Sequence, residues 1–80
     1  MTFNQLVAKR TRQLLKARNW TQYKLANRSA IPFSTLDYLI HSRGKTITLE
    51  TLLNICRGFE ITLSEFFSVP LFELENIDDD

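Results

Sequence analysis

Apolar residues recur at spacings of about three, four and seven near the start of the chain: Phe3, Leu6, Val7, Leu14 and Leu15. That period predicts an amphipathic helix over about residues 3–18, with Lys9, Arg10, Arg12 and Lys16 on its outer face. Asn19 is placed to end it, because Asn tolerates the left-handed conformation found just past a helix. Thr21 predicts the N-cap of a second helix that runs to about Arg28 and buries Leu25 and Ala26. Trp20, immediately before that cap, is expected to pack on Leu25 as a hydrophobic staple and so to be a core residue.

Ser29-Ala30-Ile31-Pro32 interrupts the periodicity. Pro32 suits the first turn of a third helix, since its missing N–H has no intrahelical partner to lose there. Ser34 with Asp37 three residues on also fits a capping pair, which leaves two starts open. This short helix covers about 33–41, buries Leu36, Leu39 and Ile40, and presents Phe33, Ser34, Asp37, Tyr38 and His41 outward. A basic loop, Ser42-Arg43-Gly44-Lys45-Thr46, follows. Thr48 then caps a fourth helix with the apolar set Leu49, Leu52, Leu53, Ile55, Cys56 and Phe59, and Gly58 lies near its end. Thr62-Leu63-Ser64-Glu65 is a capping box opening a last short helix that carries Leu63, Phe66 and Phe67.

No segment alternates with the two-residue period of a strand, so the expected fold is all-α: a compact five-helix domain over residues 1–67. Residues 68–80 are expected to form a short acidic tail, its first half packed and its end disordered. Eighty residues hold one modest core, and an apolar content of 44% is that of a folded globule rather than a disordered chain.

Net charge is only +1, but its distribution is uneven. All ten basic residues lie within 1–58, opposed there by Asp37 and Glu50 alone, whereas 59–80 holds seven acids and no base. Such asymmetry suggests a polyanionic partner for the basic part, with solubility as the plain alternative. A single cysteine, Cys56, cannot form an internal disulfide or a cysteine-based zinc site, and its helical position reads as core. With no run near the roughly 18 apolar residues of a membrane span and no signal-like start, a cytoplasmic protein without membrane contact is expected. His41 is the only histidine, which excludes a histidine-based catalytic or metal cluster, and its expected place is a solvated or phosphate-facing helix end. Phosphate loops, nucleophile elbows and His-Glu zinc motifs are absent, so neither an enzyme, a cofactor, a metal nor a small-molecule ligand is expected.

Two short helices joined by about four residues form the core of a helix-turn-helix, in which the second helix enters the major groove and the first crosses the phosphate backbone. The run Thr21-Gln22-Tyr23-Lys24-Leu25-Ala26, followed by Ile31 and Ser34-Thr35-Leu36, resembles the lambda-repressor/Cro-like (XRE-type) helix-turn-helix family. Leu49-Glu50-Thr51-Leu52-Leu53-Asn54-Ile55-Cys56 resembles that family's fourth helix, and Ile61-Thr62-Leu63-Ser64-Glu65-Phe66-Phe67 its ending, so the likeness spans about residues 3–67.

The resemblance implies a DNA-binding transcriptional regulator, a repressor, that recognises a short duplex operator as a homodimer. It places Phe33, Ser34, Asp37 and Tyr38 at base edges, and Thr21, Gln22, Arg43 and Lys45 at phosphates. Ala30 stands where the family often has glycine, Gly44 comes two places late, and Ile47 replaces a common proline. The reading face lacks the Arg, Gln and Asn that make bidentate base contacts. Phe33 is suited to a thymine methyl or to a protein partner. Asp37 is suited to a cytosine amino group or simply to the helix dipole. The aromatic end of the chain, with Phe67, Leu71 and Phe72, is the expected dimer interface, and covering its own core is the alternative. A protein-interaction module on the same scaffold, with little specific DNA binding, is the second reading.

Overall fold

The computed structural model describes residues 1–41 and 47–78. Among them are five α-helices and no strand: α1 (Phe3–Arg18), α2 (Gln22–Ser29), α3 (Phe33–Ile40), α4 (Leu49–Phe59) and α5 (Leu63–Phe67). Two 3-10 turns, Pro70–Phe72 and Leu74–Asn76, follow.

The helix starts follow local chemistry. Thr2, Thr21, Thr48 and Thr62 each accept a hydrogen bond from a first-turn backbone N–H, satisfying a donor with no intrahelical partner. Gln5 and Glu65 complete capping boxes on α1 and α5. α3 opens at Phe33, where the periodicity put it, with Pro32 as its N-cap and no side chain capping the helix.

Three helix ends share one device. Asn19, Ala30 and Glu60 stand just past α1, α2 and α4 with φ of 57°, 54° and 60°. The following residues, Trp20, Ile31 and Ile61, donate back to Leu15, Ala26 and Cys56 carbonyls at 2.9–3.1 Å. These are Schellman turns, each with an apolar residue just beyond it. Gly58 lies near the end of α4, as its place in the sequence suggested. It sits buried inside the helix, where a Cβ would lie 2.1 Å from Ser29 Oγ and 3.2 Å from Leu25 Cδ1. Lacking a side chain, Gly58 lets α2 and α4 approach closely.

The core gathers Val7 and Leu15 of α1, Leu25 and Ala26 of α2, Leu36 and Ile40 of α3, Leu52, Ile55, Cys56 and Phe59 of α4, and Phe66 of α5. Trp20 borders this core, but its ring stacks on Phe59 at 5.4 Å, and Lys24, Arg28 and Arg18 lie over it at 4.9–5.3 Å. Leu49, expected on the apolar face of α4, is 69% exposed because the first turn of the helix extends past the buried cluster. Burial pushes the Cys56 thiol up, and the Arg10 charge offsets part of that rise.

Three arginines hold the ends of neighbouring helices. Arg10 donates to the Glu65 and Phe66 carbonyls at the end of α5, Arg12 to the Ile40 carbonyl at the end of α3, and Arg28 to the Gly58 carbonyl near the end of α4. Each places a cation at the negative end of a helix and satisfies a carbonyl the helix cannot. The last described residues fold back on α1: Phe72 lies 6.3 Å from Phe3 and 4.8 Å from Phe67, and the Asp78 N–H donates to the Met1 carbonyl at 2.9 Å.

Candidate nucleic-acid interface

Ala30, Ile31 and Pro32 alone separate α2 from α3. The left-handed Ala30 reverses the chain, buried Ile31 anchors the turn in the core, and Pro32 sends the chain into α3. Leu36 and Ile40 fix the inner face of α3. Helical spacing then puts Phe33, Ser34, Asp37, Tyr38 and His41 on one outward sector.

The base-reading residues expected from the sequence therefore share a face. Phe33, Ser34 and Tyr38 are exposed, and Asp37 is half-buried. His41, just past the helix, holds its Nδ1 3.2 Å from Asp37 Oδ1, so an imidazole flanks the carboxylate. Thr35, which the sequence reading left out of the set, is exposed on the same helix.

Of the expected phosphate contacts, Thr21 and Gln22 open α2. The Thr21 hydroxyl oxygen accepts from the Lys24 N–H at 3.1 Å, leaving its proton to donate outward. Gln22 is the first residue of the helix and half-buried. Backbone N–H groups at such a terminus favour an anion. Arg43 and Lys45 lie outside the described residues. The proposed dimer residues Phe67, Leu71 and Phe72 are half-buried, and Phe67 and Phe72 pack on Phe3 and Phe66 of their own chain.

Tyr23, the second residue of α2, stacks on Phe33, the first of α3, with ring centroids 4.3 Å apart and planes within 15°. The pairing joins residues ten apart across the turn, and only a precise fold of that turn brings them together.

Among the described residues, no group of His, Cys, Asp and Glu could hold a metal ion, and no helix is long and apolar enough to cross a membrane. The model of a Cro/C1-type helix-turn-helix DNA-binding domain matches residues 10–70. No curated protein and no solved structure matches the chain.

Proposed function

The chain belongs to the Cro/C1-type helix-turn-helix DNA-binding family, and from that premise we propose that it is a sequence-specific transcriptional regulator, a cytoplasmic repressor that inserts α3 into the major groove of a short operator. One observation carries the reading. The outward sector of α3, with exposed Phe33, Ser34 and Tyr38 and half-buried Asp37, lies beside the capped start of α2, an arrangement that suits a groove-reading helix next to a helix terminus favourable to an anion. Phe33, Ser34, Asp37 and Tyr38 would face base edges, while Thr21, Gln22, Arg43 and Lys45 would hold phosphates.

A helix of this length reads only a few base pairs, so the reading includes a homodimer on a palindrome with half-sites about one helical turn apart. Phe67, Leu71 and Phe72 supply its interface. Because Phe72 also packs within its own chain, Leu71→Glu is the cleaner probe: sedimentation should show a monomer for this variant at concentrations where the parent is a dimer. An unchanged oligomer would remove the tail from the interface.

Selection from a random duplex pool at two salt concentrations tests the function. Enrichment of a palindrome whose affinity falls steeply with salt supports it. Recovery of no sequence would overturn it in favour of a protein-interaction module.

A further inference from the structure

The geometry points to Tyr23 as a specificity-determining residue of the DNA-reading face: it stacks on Phe33 and holds that ring in position to meet the 5-methyl group of a thymine. The inference rests on the DNA-binding reading and deepens it.

Both rings lie at the surface, Tyr23 66% and Phe33 37% exposed, although each has apolar area that burial in the core would stabilise. Phe33 opens a helix with no side-chain cap. A lone phenylalanine there would exchange among rotamers, whereas a ring packed flat at 4.3 Å on one side is confined to one. The confined ring sits at the edge of the α3 sector that also bears Ser34, Asp37 and Tyr38, on the side toward α2.

The chemistry of that sector narrows what the ring can meet. From Phe33 to Ile40, α3 offers hydroxyls and one carboxylate, with no guanidinium or carboxamide. A hydrocarbon ring desolvates the donors and acceptors of guanine, adenine and cytosine edges without replacing their hydrogen bonds. Thymine alone of the four bases presents an apolar group in the major groove, its 5-methyl. Tyr23 is thus a positioning residue: its contribution reaches the base through Phe33.

The test uses the duplex recovered by selection, with each thymine replaced in turn by deoxyuridine, which lacks only the methyl. Binding is measured for the parent, Tyr23→Ala, Tyr23→Phe and Phe33→Ala. In the parent, one thymine per half-site should be sensitive, uracil weakening binding roughly four-fold for one methyl removed from contact. Tyr23→Phe should keep that ratio, because the stack survives. Tyr23→Ala and Phe33→Ala should bring it close to one, and Tyr23→Ala, whose side chain is 66% exposed, should keep an unfolding midpoint near the parent's. Equal tolerance of uracil at every position in the parent would overturn the assignment. So would a Tyr23→Ala variant that binds more weakly yet keeps the full thymine-to-uracil ratio. If the pool yields no enriched duplex, the regulator reading itself fails and takes this inference with it, an outcome distinct from the other two.

Discussion

Ser29 and Gly58 face each other where α2 meets α4. Ser29 is buried, and its hydroxyl has no hydrogen-bond partner among the described residues. A methyl at Gly58 would fall 2.1 Å from that hydroxyl oxygen and 3.3 Å from Ser29 Cβ. Gly58→Ala should therefore lower the unfolding free energy by about 1–3 kcal/mol, the usual range for overpacking, despite alanine's better helix propensity. Ser29→Ala removes an unsatisfied buried oxygen and should raise stability by about 1 kcal/mol. Urea titrations of the four members of this cycle would show Gly58→Ala costing less in the Ser29→Ala background. Equal cost in both backgrounds would mean that the hydroxyl is not the obstacle. Cys56 makes the stability depend on pH. Burial raises its folded pKa, so the folded thiol keeps its proton where the unfolded thiol has lost it. This contribution is complete below the unfolded value and is lost as pH rises through the folded one. Between neutral and alkaline pH the parent should lose more stability than Cys56→Ala, and parallel curves would refute the shift.

At the scale of elements, the helix ends are where this chain departs from common practice. Asn19, Ala30 and Glu60 all occupy the left-handed region without being glycine. Asn suits it, and Glu60 is also tied to Arg28 by a 3.3 Å ion pair. Ala30 has neither advantage, and a left-handed alanine costs roughly 1–2 kcal/mol. Ala30→Gly should relieve that strain and raise the unfolding midpoint, with a net gain of about 1 kcal/mol after the added freedom of the unfolded chain. A lower midpoint would show that the turn is unstrained. Because the same residue sets the angle between α2 and α3, the operator affinity of this variant reports how closely reading depends on the turn.

Over the whole molecule, the basic residues divide into two groups. Arg10, Arg12 and Arg28 are engaged with the carbonyl ends of α5, α3 and α4. They brace the domain, and the positive balance of residues 1–58 overstates what remains for a polyanion. Arg12→Met should lower stability by about 1–2 kcal/mol, because the Ile40 carbonyl loses a charge-assisted partner, yet leave the salt dependence of DNA binding unchanged. On the proposed reading Arg43→Ala instead reduces the slope of log affinity against log salt by about one. Unfolding curves and salt titrations of both variants check this division, and a shallower slope for Arg12→Met would put that residue among those that face DNA.

The five helices, the threonine caps of α2, α4 and α5, and the buried positions Leu36, Ile40, Leu52, Ile55, Cys56 and Phe59 follow from the sequence by itself, because each depends on residues within one or two turns of one another. The 3.6-residue period marks Leu36 and Ile40 as core, and Thr62 with Glu65 closes a capping box regardless of the remaining chain. The sharing of one face by Phe33, Ser34, Asp37 and Tyr38 is likewise a property of a single helix. What tertiary structure alone decides lies between elements. Arg12 pairs with a carbonyl 28 residues away, and Arg10 with one 56 away. Gly58 matters because Ser29 crosses it, and Trp20, between α1 and α2, stacks on Phe59 of α4. Tyr23 meets Phe33 only after Ala30 has turned the chain. No local period encodes such pairs, since they are fixed by the angles at which helices pack.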